Sequence, residues 1–186
     1  MTMKPLGAAL ALLSLAACSD FAPYRSWNQY AMTGPVASSA KEFSDDLIGV
    51  RFWMDYKRIR FELTNRSAGP VTLAWNKASY IHIDGKRHAV ADERSIFSRR
   101  QLDPAPTVVP PGATIRDWVA PVRNVEQLEE WTWYVYPLFD QQSPRAFLNR
   151  GKTFGLDLPV TAGETTRTYA FRFEIVNVQP SVEQLL

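Results

Sequence analysis

Two histidines, His82 and His88, are the only imidazoles in a chain of 186 residues, so general-base or zinc chemistry would have to start from them. Both flank Asp84-Gly85, a pair that favours a two-residue hairpin turn. With that turn Ile83 pairs with Lys86, His82 with Arg87 and Ile81 with His88, so the imidazoles leave opposite faces of the ribbon and share no metal. A three-residue loop would pair them directly. Carboxylates for acid–base work stand at Asp45, Asp46, Asp55, Glu93 and Asp103, with no spacing that links any two into a pair. The chain has no G-x-S-x-G elbow, H-E-x-x-H helix, Walker loop or dinucleotide fingerprint. No catalytic residue and no metal ligand is assigned, and the expectation is a protein without enzymatic activity or cofactor.

Two stretches have the chemistry of binding. Asp92 to Pro104 is a long connection without clear period that carries Arg94, Arg99 and Arg100. Paired guanidinium groups can hold carboxylates or phosphates through planar donors; the alternative is a solvated loop neutralised by Asp92, Glu93 and Asp103. The second stretch, Trp131 to Phe139, is apolar on both faces of an extended chain. Trp131, Trp133 and Val135 share one face, and Tyr134, Tyr136 and Leu138 the other. One face should fill the core. The other, through Trp133 or Tyr134, would serve as a stacking platform for sugar or a docking surface for a partner, unless neighbouring chain covers it.

Cys18 is the only cysteine, so no internal disulfide can form. It follows one lysine in Met1 to Lys4 and an uncharged apolar run from Pro5 to Ala17, the layout of a secretory signal and shorter than the roughly 20 residues of a membrane-spanning helix. Leu15-Ala16-Ala17-Cys18 resembles the lipobox of bacterial lipoproteins; a plain cleaved signal peptide is the alternative. The resemblance implies a covalent diacylglycerol and an N-acyl lipid on Cys18, with cleavage just before it. Each buried methylene contributes about 0.8 kcal/mol, so two or three acyl chains anchor a soluble body firmly. With Ser19 after the cysteine, the resemblance further implies the inner leaflet of the outer membrane, facing the periplasm.

A net charge of +2 from 21 basic and 19 acidic side chains gives no field that would recruit nucleic acid. The expected organisation is a signal peptide over 1–17, a lipidated terminus and tether over 18–44, a domain over 45–180 and a tail over 181–186. Tyr24, Trp27 and Tyr30 leave open whether the tether is free or docked. From Leu47 onward the chain alternates in hydropathy. Ile59 to Leu63 and Val71 to Trp75 predict one hairpin across Asn65 to Pro70, and Ser79 to Ile83 with Arg87 to Val90 predict another. Further strands are expected at Thr107 to Val109, Thr114 to Val119, Thr132 to Leu138, Phe154 to Leu158 and Thr168 to Val178.

Short helical turns are expected from Asn124 through Glu130, from Ser143 to near Gly151, and at Ser181. Eight or nine strands with one to three short helices predict an all-β fold, an antiparallel sandwich or barrel. Trp75 is similar in placement to the core tryptophan of immunoglobulin-like domains, without the cysteine pair that usually accompanies it, so the resemblance implies architecture alone. The expected role is a lipid-anchored, non-catalytic adaptor that binds an envelope protein. The alternatives are a peptidoglycan- or lipopolysaccharide-binding module and, behind it, an envelope hydrolase.

Overall fold

The computed structural model describes residues 26–97, 105–129 and 132–180. Cys18 and its leader, Arg99, Arg100, Trp131 and the stub at Ser181 lie outside the described residues. Those residues form thirteen strands: β1 (Ser26–Gly34), β2 (Glu42–Ser44), β3 (Ile48–Met54), β4 (Ile59–Asn65), β5 (Val71–Leu73), β6 (Ser79–Ile81), β7 (Arg87–Asp92), β8 (Thr107–Val109), β9 (Thr114–Pro121), β10 (Val125–Glu129), β11 (Thr132–Val135), β12 (Thr153–Ala162) and β13 (Thr165–Pro180). One helical turn, α1 (Glu93–Phe97), and 3-10 turns at Trp75–Lys77, Val122–Asn124 and Ala146–Asn149 complete the set. The fold is all-β and antiparallel, as the alternation predicts.

Eleven strands make one nearly closed, barrel-like sheet in the order β1-β13-β12-β6-β7-β9-β4-β3-β2, with β5 and β8 branching from β12. The sheet turns its corner within β7, whose first half pairs with β6 and whose second half pairs with β9. The two layers so formed face one another through aromatic side chains. Phe52 of β3 meets Phe171 and Phe173 of β13 with centroids 4.7 and 5.1 Å apart. Alternation explains the core: Ile59, Phe61 and Leu63 are fully buried while Arg60, Glu62 and Thr64 face outward, and Tyr169, Phe171, Phe173 and Ile175 line the inner face of β13. Fully burying each such side chain contributes about 1.5–3 kcal/mol.

Several expectations are corrected by the pairing. β4 and β5 do not form a hairpin: β4 pairs with β3 and β9, and β5 with β12 and β8. The link between them crosses from one layer to the other around Asn65, whose Nδ2 donates to the carbonyls of Gly69 and Val109, both at 2.8 Å. Trp75 is buried in the core as expected, but it opens a 3-10 turn rather than extending β5. The chain from Asn124 is a strand, not a helix, because Val125 and the residues after it pair with β11. β11 itself ends at Val135, and Leu138 and Phe139 turn into the main core.

Ser26–Gly34, within the segment read as a tether, is a sheet strand paired with the last one from Ser26↔Pro180 to Gly34↔Arg172. The serine at its start donates from both N and Oγ to the Gln141 carbonyl. Tyr30 packs edge-on against Phe154 at 5.5 Å, and burial pushes its hydroxyl up to about 12.

The histidine hairpin is also shifted. Tyr80 pairs with His88 and Ile81 with Arg87, which leaves a three-residue loop, Ile83-Asp84-Gly85. Gly85 sits at φ +81, a conformation glycine adopts without strain, and its N–H donates to the His82 carbonyl at 2.8 Å. The one-residue shift puts His82 and His88 on the same face, ring centroids 6.2 Å apart, instead of on opposite faces; they are diagonal neighbours and not the direct pair expected of a three-residue loop, because His82 stands opposite Lys86 and His88 opposite Tyr80.

Candidate functional site

β10 and β11 form a two-stranded sheet of their own, in register from Val125↔Val135 to Gln127↔Trp133. The base of this hairpin is pinned by Asn124, whose Nδ2 donates to the Pro137 carbonyl and whose own carbonyl accepts from Tyr136 N, each at 2.7 Å. Alternation then sorts the side chains. Val125, Trp133 and Val135 pack on a small cluster of Ala91, Ile96, Trp118 and Ala120. Tyr134, Tyr136 and Leu128 face solvent, at 38, 42 and 53% exposure.

A groove of about 370 Å³ runs along β11 against the β3–β4 turn, lined by Lys57, Arg58, Ile96, Trp118 and the four residues Thr132 to Val135. Among the described residues β11 has no sheet neighbour other than β10, so the main-chain edge that borders the groove carries no ladder partner. The walls are cationic and aromatic together: Lys57 Nζ stands 4.0 Å over the Tyr134 ring, and the Arg58 guanidinium 4.9 Å over Trp118. On the outer face Tyr134 and Tyr136 meet edge-to-face at 4.8 Å. Tyr136 donates its hydroxyl proton to Glu126, and that carboxylate raises the phenol above its ordinary range.

Next to Trp118 in β9, Asp117 accepts from Trp118 N at 2.7 Å and from Glu93 N at 3.3 Å. Burial pushes its carboxyl up to about 6; those two amides pull the other way, and the neighbouring Asp92 charge adds to the rise. Asp92 has a structural task, accepting from Ser95 N at 2.9 Å while its own N–H bonds Ser95 Oγ, which closes the first turn of α1.

Of the residues singled out in the sequence, the structure brings Trp133 and Tyr134 to one groove and gives them different tasks. Trp133 turns inward and is half-buried, and Tyr134 turns outward. Arg94 is placed on α1, where its guanidinium bonds Asp92 and Thr107 rather than standing free. Lys57, Arg58 and Trp118, which sequence reading missed, reach the groove from β9 and from a turn about 75 residues upstream of β11, and no local pattern joins those segments. No protein-family model, curated protein or solved structure matches this chain.

Proposed function

We propose that this chain is a lipid-anchored envelope protein, held through Cys18 on the periplasm-facing leaflet of the outer membrane, that works without catalysis as an adaptor for another envelope protein. The partner contributes an extended segment that adds to the free edge of β11. The observation that carries this is the groove along that edge, with its walls of Trp118, Trp133 and Tyr134 and the Lys57 ammonium at its rim. In strand addition the main chain supplies affinity, while alternate side chains seated in pockets supply selectivity. Lys57 favours an acidic residue opposite Tyr134.

Photo-cross-linking in intact cells tests it. A photoreactive residue at Tyr134 is expected to give one discrete adduct with an envelope protein, and the same group at Glu164, in the exposed β12–β13 turn, to give none. The same adducts from both positions, or none from Tyr134, would contradict the assignment. For the anchor, Cys18→Ser is expected to accumulate as precursor without incorporated fatty acid; acylation of that variant would end it.

The exposed Tyr134–Tyr136 pair favours a glycan-binding module as a second reading, since tyrosine rings stack on sugar faces. Fluorescence quenching by peptidoglycan fragments, lost in Tyr136→Ala, would select it over the adaptor.

A further inference from the structure

A second cleft, of about 350 Å³, lies between the β6–β7 loop and the chain around Pro137–Asp140; His82, Arg123, Asn124, Phe139, Asp140 and Asn149 line it. It shares no residue with the β11 groove. Its charges are divided between separate groups. Arg123 makes no ion pair or hydrogen bond with any described residue, so its planar donors are uncommitted. Asp140 uses Oδ1 to accept from Gln142 N and Ser143 N, both at 3.1 Å, which leaves Oδ2.

His82 is held between them in chemistry. Its Nδ1 lies 2.9 Å from Asp84 Oδ1, and its ring stacks on Phe139 at 6.4 Å. Asp84 is itself neutralised: the Lys86 amide first, then His82, hold its carboxyl below the ordinary range, and Lys86 Nζ stands 3.4 Å away. Beside the His82 ring, at 6.2 Å each, stand Tyr80 and His88; Tyr80 Oη, His88 Nε2 and His82 Nδ1 are buried without a hydrogen-bond partner among the described residues. After burial itself, Arg123 is the strongest influence on Tyr80 and His88.

We propose that this cleft binds a free amino acid as its zwitterion, with the carboxylate on Arg123, the ammonium on Asp140 Oδ2 beside His82, and an apolar side chain against Phe139. An anion alone would leave Asp140 uncompensated and repelling it, and a cation alone would face Arg123. A zwitterion satisfies both ends, and a guanidinium meets a carboxylate with two parallel bonds. The cleft volume lies at the small end of ligand pockets, which suits a ligand of this size. The site is independent of the adaptor role and of the anchor.

Because the chain has only two histidines, their imidazole nitrogens report on the cleft without ambiguity. The full chain, labelled with 15N-histidine in detergent micelles at fixed pH, is titrated with L-leucine. The His82 signals are expected to shift and saturate. N-acetylleucine, which lacks the ammonium, and leucinamide, which lacks the carboxylate, should each bind at least about tenfold more weakly. Arg123→Gln should erase the preference for leucine over leucinamide, Asp140→Asn its preference over N-acetylleucine, and Arg145→Gln, outside the cleft, should change neither. Unmoved imidazoles, or equal binding of leucine and its capped forms, would overturn the proposal.

Discussion

The main core and the β10–β11 hairpin are built from the same alternation of apolar and polar residues, and they end in opposite physical states. In the core, Phe52, Phe61, Phe154, Phe171 and Phe173 are each at most 2% exposed and touch one another across the two layers. Under the hairpin the buried apolar residues, among those described, are Ala91, Ile96, Trp118 and Ala120, and Trp133, Val125 and Val135 are half-covered. The difference comes from the number of layers that close over a strand. β13 lies between two strands and beneath a second layer, whereas β11 has one neighbour and a groove. A chain that must fold without a disulfide concentrates its apolar burial in the barrel, and leaves aromatic area on the hairpin for something else to cover.

The largest effect that would break this contrast is expected in the core. Phe171→Ala should lower stability by about 3–5 kcal/mol, because its ring contacts Phe52, Phe43 and Tyr169 and the cavity cannot collapse between two layers. Denaturant unfolding measures it; a loss comparable to that of a surface substitution would mean the layers are not packed as described.

Asp117→Asn should act in the opposite direction. A carboxyl whose folded pKa is raised to about 6 binds its proton more tightly in the native state. The wild type therefore loses stability as pH rises from about 4 to about 6 and stays penalised above, by up to about 3 kcal/mol. The asparagine variant should be more stable at pH 7.5 and indistinguishable at pH 4, as read from thermal midpoints across that range. A gain independent of pH would contradict the buried-carboxyl account.

Gly155→Ala follows. A Cβ there would lie 2.3 Å from the Phe171 carbonyl oxygen and 2.9 Å from Arg172. It would force β12 and β13 apart and lift Arg172 from the buried Asp157 that it contacts at 2.7 Å. A loss of about 2 kcal/mol is expected. Trp133→Ala should have the smallest global effect, below about 1 kcal/mol, while amide exchange over 125–129 and 132–135 accelerates and the barrel amides stay protected. Exchange rising equally in β12 and β13 would show that the hairpin is part of the main core.

Hydropathy made the all-β class legible, because residues such as Ile59-Arg-Phe-Glu-Leu63 and Tyr169 to Ile175 face a core on one side only. Pairing was less legible. Asn65 to Pro70 has turn chemistry whether the chain folds back on itself or crosses to the other layer, and long-range bonds such as those from Asn65 to Val109 and Ala113 separate the two. In the histidine hairpin Asp84-Gly85 suited a two-residue turn, yet the loop has three residues, and one step of register reversed the relation of His82 to His88. β1 escaped notice because bulges at Gln29/Tyr30 and Met32/Gly34 interrupt its period. Part of the aromatic wall could be read from Trp133 and Tyr134, but Trp118 and the cations Lys57 and Arg58 come from distant chain.

Amide hydrogen exchange of Thr132 to Val135, compared between the full chain in native envelopes and the same chain purified into detergent, tests the strand-addition claim most directly. Main-chain bonds from a partner segment are expected to slow these amides by at least about tenfold in envelopes while leaving the exposed β12–β13 turn unchanged. Equal exchange of residues 132–135 in both states would contradict a partner on that edge.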